Sequence, residues 1–474
     1  MKNTFLSFLI IITSTLYIKA QTRVGSPFTD HMVLQQNEEV NLWGWDTPAT
    51  KLTVKGSWGE SVKTIVDQSG KWKVTLKTPE GSYTNYQITI KGTSTIKLSD
   101  VLFGEVWLCS GQSNMQMPLQ GYYGQPVIGS REMIASSNQK NYIRLYQVKR
   151  AFNGVVQDTL SGKWTEADPS TVRAFSAVAY SFGKKLAENL NVPIGLIHSS
   201  QGGSKAEAWM SESMYRELSD DEIVYEGINQ KKAIKTPTLY YNAMIHPLVG
   251  YTIRGAIWYQ GEANRSTNAT QKYSKVQSTL INGWRTLWNQ GDFPFYFVEI
   301  APFGYNGKDN VEAAELRAEQ YLTTELVKNT AMVSTADLGD LKYIHPSQKV
   351  EVGNRLANIA LSKDYGIEGL DYLSPIYKSS TVKGNYVSVQ FDDAPTGITT
   401  YSKELKGFEL AGEDGKFYPA KGKFKKYRLS VFSDSVANPK YIRYAFKNYH
   451  EGNLFSVNGL PVIPFNKEID KKVE

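Results

Sequence analysis

The sequence predicts an α/β protein built on a doubly wound, mostly parallel sheet, with a β module before it and another after it. Two patterns along the 474 residues lead to this prediction. Near both ends, short runs of alternating apolar and polar residues lie between turn residues, which is typical of antiparallel strands. In the middle, almost continuous apolar strands alternate with helical segments, which is typical of a parallel sheet covered by helices on both faces.

Residues 1–20 are expected to be a secretory signal peptide. Lys2 precedes an apolar stretch from Phe5 to Ile18, and Ala20 provides the small residue at which such peptides are cleaved. The alternative is a membrane anchor, but a spanning helix needs about 20 apolar residues and this stretch is shorter. We therefore expect an exported protein, periplasmic or extracellular, with no membrane span after the signal peptide is removed.

Residues 21–100 are predicted to form an N-terminal β-sandwich domain. The runs at 40–45, 52–55, 72–76 and 86–90 alternate with period two and are separated by Gly, Pro and Asp. Residues 367–474 return to the same pattern, for example at 387–391 and 441–446, and are predicted to form a C-terminal β domain.

Residues 101–366 are predicted to form the α/β domain between these two modules. Strands are expected at 105–109, 192–198, 255–259, 295–300 and 331–337, and helices at 177–190, 273–287, 311–327 and 349–361. In open α/β sheets, ligands bind beyond the carboxyl ends of the strands. The segments that follow these strands are therefore the candidates for a functional site.

The composition excludes several classes of protein. The chain has 53 Lys and Arg against 46 Asp and Glu, and no stretch concentrates the basic residues as a nucleic-acid interface requires. Its single cysteine excludes an internal disulfide, and none of its five histidines pairs with another at the spacing of a zinc site. We therefore expect no nucleic-acid partner and no bound metal.

Ser113 is the candidate nucleophile. It follows the strand that ends at Cys109, on a turn that contains Gly111 and opens a helix. Its hydroxyl is expected at the carboxyl edge of the sheet, and its N–H at a helix N-terminus, where it can stabilise an oxyanion. The alternative is a helix cap without a catalytic purpose. Met115 replaces the second glycine of a lipase-type elbow, and Cys109 is expected to be a packed apolar residue.

Two later strand ends offer hydrogen-bond donors. Gly202 and Gly203 follow the strand that ends at His198, and consecutive glycines allow backbone N–H groups to face a ligand. The alternative for this segment is a simple tight turn. The polar residues Gln260, Glu262 and Asn264 follow the next strand and can supply a side-chain donor, bind a sugar or only end the strand.

His345 is the best candidate for a general base, because it lies on a strand-to-helix loop at the same edge of the sheet as Ser113. His198 lies inside an apolar strand and is expected to be a core residue. His246 is expected either to support the site or to end a loop.

Together these segments resemble the sialate O-acetylesterase family of the SGNH-hydrolase superfamily. The matching motifs, in the expected order, lie at 111–115, 201–204, 258–264, 344–346 and 352–356, with flanking matches at 28–35, 453–455 and 459–461. The resemblance implies an SGNH-like α/β catalytic domain and a carboxylic ester hydrolase without a cofactor. Its expected partner is an O-acetylated glycan, foremost one that carries O-acetylated sialic acid.

The resemblance also implies roles for the candidate residues. Ser113 is expected to be the nucleophile and His345 the base, with the Ser113 N–H in the oxyanion hole. Further oxyanion donors are expected from two later segments: Gly202 or Gly203, of which Gly203 is preferred, and Gln260 or Asn264, of which Gln260 is preferred. Residues expected to contact the substrate are Gln112, Glu262 and Arg317. Arg317, on the helix predicted at 311–327, is expected to bind a carboxylate or to form a surface ion pair.

The acidic member of a catalytic triad departs from the superfamily pattern. The superfamily often has an Asp three residues before the histidine, and this chain has Lys342 there. We expect Asp340 to be the acid. Asp337 is one alternative, and a Ser–His dyad held by a backbone carbonyl is another.

Two other functions are compatible with parts of the sequence. An acetyl esterase of xylan or another plant glycan would use the same residues as a sialate O-acetylesterase. A non-catalytic glycan-binding protein would use its β domains instead, but intact Ser113 and His345 argue against it.

Overall fold

The structure, a computed structural model, describes residues 21–137, 142–265, 272–425 and 428–472. The predicted signal peptide lies outside these residues. A central mixed sheet with helices on both faces is joined to further β-sheets before and after it, so the predicted fold class is confirmed. Among the helices of the described residues, none combines the length and the apolar character needed to cross a bilayer.

The N-terminal part consists of eight strands that form two sheets. They are β1 (Arg23–Val24), β2 (Val33–Gln35), β3 (Glu39–Trp45), β4 (Lys51–Gly56), β5 (Ser61–Ile65), β6 (Lys71–Lys77), β7 (Ser82–Lys91) and β8 (Thr95–Gly111). One sheet has the order β1-β3-β6, and in the other β8 pairs with β2 and β7, and β4 pairs with β5 and β7. Alternate residues such as Leu42 on β3 and Val54 on β4 are fully buried in one core, as in a sandwich.

Strand β8 is 17 residues long and belongs to two parts of the molecule. Its first half pairs with β7 and β2, and its second half lies in the central sheet. It runs without interruption through the predicted domain boundary between residues 100 and 101. The backbone of the N-terminal module therefore continues directly into the strand that precedes Ser113.

The central sheet adds six strands to β8. They are β9 (Ile143–Gln147), β10 (Trp164–Glu166), β11 (Ile194–Ser200), β12 (Gly255–Tyr259), β13 (Phe295–Val298) and β14 (Thr330–Val333). The order is β10-β9-β11-β8-β12-β13-β14, in which β10 is antiparallel to β9 and all other neighbours are parallel. The sequence analysis predicted every parallel strand except β9.

Helices cover both faces of this sheet. The α-helices are α1 (Ser113–Gln116), α2 (Ser130–Ala135), α3 (Pro169–Val172), α4 (Ala177–Leu190), α5 (Glu212–Arg216), α6 (Gln230–Ala233), α7 (Tyr273–Trp288), α8 (Glu312–Leu326) and α9 (Lys349–Lys363). Short 3₁₀ turns lie at Ala206–Trp209, His246–Leu248 and Glu262–Asn264, and a π-helical turn at Tyr241–Ile245. Val106 and Leu108 of β8 share a core with α7 and α8, whereas Trp107 and Cys109 share the opposite core with α4 and α9.

The C-terminal module is all β. Its strands are β15 (Ile376–Lys383), β16 (Tyr386–Asp392), β17 (Ile398–Thr399), β18 (Phe408–Ala411), β19 (Phe417–Pro419), β20 (Lys421–Lys425), β21 (Arg428–Phe432), β22 (Tyr441–Tyr444), β23 (Phe455–Ser456), β24 (Phe465–Glu468) and β25 (Lys471–Lys472). They form sheets of order β20-β21-β16-β15-β25 and β19-β18-β22-β24 and the pair β17-β23. Val387, Leu410 and Leu429 belong to a separate core of this module.

The close packing of α4 against α9 gives a stability prediction. A Cβ atom at Gly353 of α9 would lie 2.6 Å from both the Ser181 Cβ and the Val178 carbonyl oxygen of α4. Gly353→Ala should therefore lower the free energy of unfolding by about 1–3 kcal/mol, because overpacking forces the two helices apart. Gly412→Ala is the control, since a Cβ there has no neighbour within 3.5 Å. Urea unfolding of both variants tests this, and equal stabilities would contradict it.

Candidate active site

Three strands end at the same level of the central sheet. Gly111 of β8 is in register with Ser200 of β11 on one side and with Tyr259 of β12 on the other. Gly111 has φ of +138°, and a Cβ there would lie 2.2 Å from the Tyr259 carbonyl oxygen, so a side chain does not fit. The loops after these strands therefore meet at one point beyond the edge of the sheet.

Ser113 lies at this point as the first residue of α1, and it is half-buried. The first N–H groups of a helix have no intrahelical acceptor, so the Ser113 N–H is open to another one. The next residue, Asn114, is fully buried. Its Nδ2 donates to the Glu262 carboxylate and to the carbonyl oxygen of Ile344 at 3.2 Å. Asn114 thereby joins the Ser113 turn to the loop after β12 and to the loop that carries His345.

His345 is held by two residues that follow α1. Its Nδ1 lies 2.8 Å from the Oε1 of Gln125, and its ring packs edge-on against Tyr122 at 5.3 Å. The Tyr122 hydroxyl in turn donates to the carbonyl oxygen of Ser113 at 3.4 Å. Because an amide oxygen can only accept, Nδ1 carries the proton and Nε2 has the free lone pair. His345 is therefore in the tautomer that can accept a proton at Nε2.

The expectation that Asp340 orients His345 is wrong. The Asp340 Oδ1 accepts hydrogen bonds from the backbone N–H groups of Lys342 and Tyr343, at 2.7 and 3.0 Å, and so holds its own turn. The alternative acid, Asp337, is paired through both of its oxygens with Arg355 at 2.8 Å. The neutral amide of Gln125 takes the position of the triad acid instead.

The structure brings Gly202 rather than Gly203 to Ser113. A Cβ at Gly202 would lie 3.4 Å from the Ser113 Cβ, whereas the nearest neighbour of such an atom at Gly203 would be the side chain of Ile234. The Gly202 N–H donates to the Oε1 of Gln116 at 2.7 Å. The preference for Gly203 over Gly202 is corrected accordingly, because Gly202 is the glycine that lies beside Ser113.

Neither amide after β12 is available as an oxyanion donor. Gln260 is fully buried, and its Nε2 donates to the Ser204 carbonyl at 3.0 Å and to the Asn264 Oδ1 at 2.7 Å. The Nδ2 of Asn264 donates to Glu207 at 2.8 Å. Both donors of Gln260 are occupied, and the two side chains hold the β12 loop against the loop at 204–207. The two residues are therefore corrected from oxyanion donors to structural residues.

The three residues expected to contact the substrate lie elsewhere or serve the scaffold. The Oε1 of Gln112, a residue only 3% exposed, lies 3.4 and 3.3 Å from the N–H groups of Gly261 and Ala263, so it supports the β12 loop. Glu262 binds Asn114, as described above. Arg317 is 1% exposed and donates to the carbonyl oxygen of Lys447 in the C-terminal module. The expectations for Gln112 and Arg317 are therefore corrected, because neither group is presented to a ligand. Glu262 is partly exposed beside the Ser113 turn, and its contact with the substrate stays a prediction.

Buried charge surrounds His345. Lys349, the first residue of α9, is fully buried, donates to the Pro346 carbonyl at 2.6 Å and lies 5.8 Å from the Tyr259 ring centre. Burial lowers the pKa of Lys349 to about 7, although the negative charge of Glu262 acts in the opposite direction. Burial also raises the pKa of Glu262. Burial and the charge of Lys349 lower the pKa of His345 to about 4. His345 is therefore neutral at neutral pH.

The other titratable groups singled out in the sequence are Cys109 and His198, which are core residues, and His246, which is partly buried. Burial raises the pKa of the Cys109 thiol far above its usual range, so that it stays protonated. His198 is buried with a pKa lowered to about 3, and its Nδ1 contacts Gln147 at 2.7 Å. His246 contacts the carbonyl oxygen of Gln157 through its Nδ1 at 3.0 Å.

One group among the described residues has the spacing of metal ligands, and it lies apart from the residues around Ser113. It consists of His31, Asp100 and Glu166. The His31 Nδ1 lies 2.6 Å from Asp100, and Arg144 pairs with Asp100 at 2.8 Å and with Glu166 at 3.6 Å. The Arg144 guanidinium thus pairs with both carboxylates of this group.

Five residues that build the site were missed in the sequence: Asn114, Gln116, Tyr122, Gln125 and Lys349. Gln125 is 220 positions from His345, and no motif connects the two. Only Lys349 could have been noticed in the sequence. It is a lysine at the start of an otherwise apolar helix face, and a positive charge is unfavourable at a helix N-terminus.

Comparison with known proteins agrees with this geometry. Residues 103–362 match the family model described as carbohydrate esterase, sialic acid-specific acetylesterase. The sialate O-acetylesterase of Homo sapiens is 30% identical over 388 residues, which cover 75% of this chain and 73% of the human protein. That of Mus musculus is 29% identical and covers 82% of each chain.

A solved structure adds to these matches. A carbohydrate acetylesterase from Xanthomonas citri is 32% identical and superposes with a TM-score of 0.85 over 94% of this chain and 99% of its own. The agreement covers the α/β unit and both β modules. The chain therefore belongs to the sialic acid-specific acetylesterase family of carbohydrate esterases and is a carboxylic ester hydrolase.

Proposed function

We propose that the protein removes O-acetyl groups from sialic acids through an acyl-enzyme on Ser113. The observation that carries this proposal is the hydrogen-bonded connection between the Ser113 turn and the His345 loop, made by Asn114 and Tyr122. His345 has its free lone pair on Nε2, as a general base needs. The curated relatives from Homo sapiens and Mus musculus, both sialate O-acetylesterases, support the choice of substrate.

The proposed reaction has two steps. The Ser113 Oγ attacks the acetyl carbonyl, and His345 Nε2 takes its proton. The C–O bond to the sugar then breaks, and His345 returns the proton to the leaving sugar oxygen, which leaves acetyl-Ser113. In the second step His345 takes a proton from water, the hydroxide attacks the acyl carbonyl, and acetate leaves while Ser113 regains its proton.

Two backbone groups are the proposed oxyanion donors. The Ser113 N–H is at the start of α1, and the Gly202 N–H is beside it. Gly202 already binds a carbonyl oxygen, that of the Gln116 side chain at 2.7 Å, so its N–H is directed at an acceptor. The acetyl oxygen would replace the Gln116 amide there. Each such donor typically contributes a factor of about 10²–10³ to turnover.

The role of Ser113 can be tested with a serine in a similar position. Ser113→Ala should lower kcat on a chromogenic acetyl ester by about 10⁴-fold or more, because the nucleophile is lost. Ser130→Ala is the control, since Ser130 also opens a short helix. Mass spectrometry of acid-quenched wild-type enzyme should find an added acetyl group on Ser113. Wild-type activity in Ser113→Ala would eliminate the acyl-enzyme.

The environment of His345 gives a pH prediction. The base must be neutral, and its pKa is lowered to about 4, so kcat/KM should be flat near neutral pH and fall only as the pH drops through about 4. Gln125→Glu places a carboxylate at Nδ1, which stabilises the imidazolium and should move this acid limb upward by about 1–3 pH units.

Gln120→Glu is the matched control, because it adds the same charge at an exposed position that contacts Arg173 instead of the imidazole. Its pH profile should follow that of the wild type. An unchanged acid limb in Gln125→Glu would mean that Gln125 does not orient His345.

The carboxylate of sialic acid needs a cation, and Arg317 is too deeply buried to reach it. We infer that Arg150 takes this role. Arg150 is exposed and follows β9 by three residues. Between them, the Val148 N–H donates to the His198 carbonyl oxygen of β11. Strand β11 in turn leads to Gly202. Burial raises the pKa of Tyr122 to about 12, and the charge of Arg150 acts on the same hydroxyl. The same charge also acts on the Tyr240 hydroxyl.

Arg150→Ala should lower kcat/KM for an O-acetylated sialic acid by about tenfold or more, because a charge-assisted hydrogen bond is lost. Its activity on a neutral acetyl ester should not change, and Arg131→Ala, at another exposed arginine, should affect neither substrate. The alternative substrate is an acetylated neutral plant glycan, because the related structure from Xanthomonas citri is described only as a carbohydrate acetylesterase. Higher wild-type activity on acetylated xylan, unaffected by Arg150→Ala, would establish that alternative.

A further inference from the structure

A cleft lies where the N-terminal sheet β1-β3-β6 meets the α/β unit, and none of its residues belongs to the site around Ser113. Its volume is about 320 Å³. One wall is formed by β3 and β6, and the other by residues 246–250, which follow the π-helical turn. We call it the tryptophan cleft, after Trp43 and Trp45 of β3, which line it.

The two tryptophans lie on the outer face of the sheet. Along β3, Val40, Leu42 and Gly44 are buried, and the residues between them are only partly buried. Residues i and i+2 of a strand share a face at a spacing of about 6.8 Å, so Trp43 and Trp45 present neighbouring indoles on one surface. The register places Lys73 opposite Trp43 and Lys71 opposite Trp45. The outer face is therefore a row of two indoles beside a row of two lysines.

The packing of the module does not account for Trp45. Trp43 packs edge-on against Phe28 at 4.5 Å and contacts the hydrophobic core. Trp45 belongs to none of the core clusters of the described residues, and its recorded ring contact is Arg23, 5.4 Å from the ring centre. A large aromatic side chain that is left partly exposed in a concave site is a common feature of ligand pockets.

Polar groups of both signs surround the indoles. Lys71 pairs with Asp158 across the cleft at 2.9 Å. The Nδ1 of His246 donates to the Gln157 carbonyl at 3.0 Å, which leaves its Nε2 as an acceptor. Lys73 adds a donor and Asp67 an acceptor at the same cleft. This mixture of charges does not fit a polyanion, which needs an excess of cations, or a purely apolar partner.

We propose that the tryptophan cleft is a second carbohydrate-binding site, which holds a glycan chain apart from the acetyl group being hydrolysed. A sugar ring has an apolar C–H face that stacks on an indole, and a rim of hydroxyls that both donate and accept hydrogen bonds. Trp43 and Trp45 provide the stacking surfaces, and Lys71, Asp158 and His246 provide donors and acceptors at the rim. Such a site raises the local concentration of a polymeric substrate at the enzyme without taking part in the chemistry.

The test measures binding and hydrolysis separately. The full chain is titrated with xylohexaose and, separately, with 3′-sialyllactose, neither of which carries an acetyl ester, and binding is followed by calorimetry and tryptophan emission. Trp45→Ala should weaken the binding of at least one of the two probes by about tenfold or more, because a stacked indole is lost. Trp45→Phe should retain most of the affinity. The probe that binds shows whether the site prefers a neutral or a sialylated chain.

Two controls separate this proposal from the proposed esterase function. Arg150→Ala should leave the Trp45-dependent binding unchanged, and Trp45→Ala should hydrolyse a small acetyl ester as fast as the wild type with the same unfolding midpoint. Failure of both probes to bind at millimolar concentration, or equal binding of the probes by Trp45→Ala and wild type, would overturn the cleft proposal. A lower unfolding midpoint in Trp45→Ala would also overturn it, because the indole would then serve the fold. An active Ser113→Ala enzyme would refute only the acyl-enzyme.

Discussion

The parallel pairing of β8 with β11 and β12 is the constraint on which the site depends. Because Gly111 is in register with both Ser200 and Tyr259, the three strands end at one level, and the loops that follow are forced into contact. The absence of a side chain at Gly111 permits the close approach to the Tyr259 carbonyl. The hydrogen bonds among the loops then only refine the positions of side chains that the pairing of the three strands has already brought together. A shift of register by one residue would turn side chains to the other face and separate the Ser113 turn from Gly202.

Side-chain amides hold this arrangement together. Gln112 and Gln260 support the loop after β12, Asn114 joins three loops, and Gln125 fixes the imidazole. Amides suit this work because each can donate and accept at once without carrying a charge. The buried Lys349 lies near the histidine and helps to lower its pKa, while Glu262 opposes the loss of the charge on Lys349. The His345 imidazole is thereby kept in its neutral form.

The sequence was sufficient for those features that depend on local pattern. Apolar strands followed by helices located β8, β11, β12, β13 and β14 and the four long helices, and the positions of Ser113 and His345 followed from the ends of these elements. Strands β9 and β10 were not predicted, because Arg144 interrupts the apolar run of β9 and the edge strand β10 has only three residues. The partners of side chains could not be foreseen, because they depend on tertiary distance. Asp340 is the nearer acid to His345 in sequence, yet its carboxylate closes its own turn, and a glutamine 220 positions away contacts the imidazole.

Strand β8 also has a consequence for the order in which the chain can fold during synthesis. Its first half finds its partners β2 and β7 in chain that has already been made, so the N-terminal sheets can close early. Its second half, with Val106, Trp107 and Leu108, has to wait until β11 and β12 emerge, about 90 to 150 residues later. Until β11 and β12 have been synthesised, the second half of β8 is an apolar strand with two unpaired edges. It is attached at one end to a folded module. This is the period in which the nascent chain is most exposed to wrong strand pairing, and a holding chaperone would protect it.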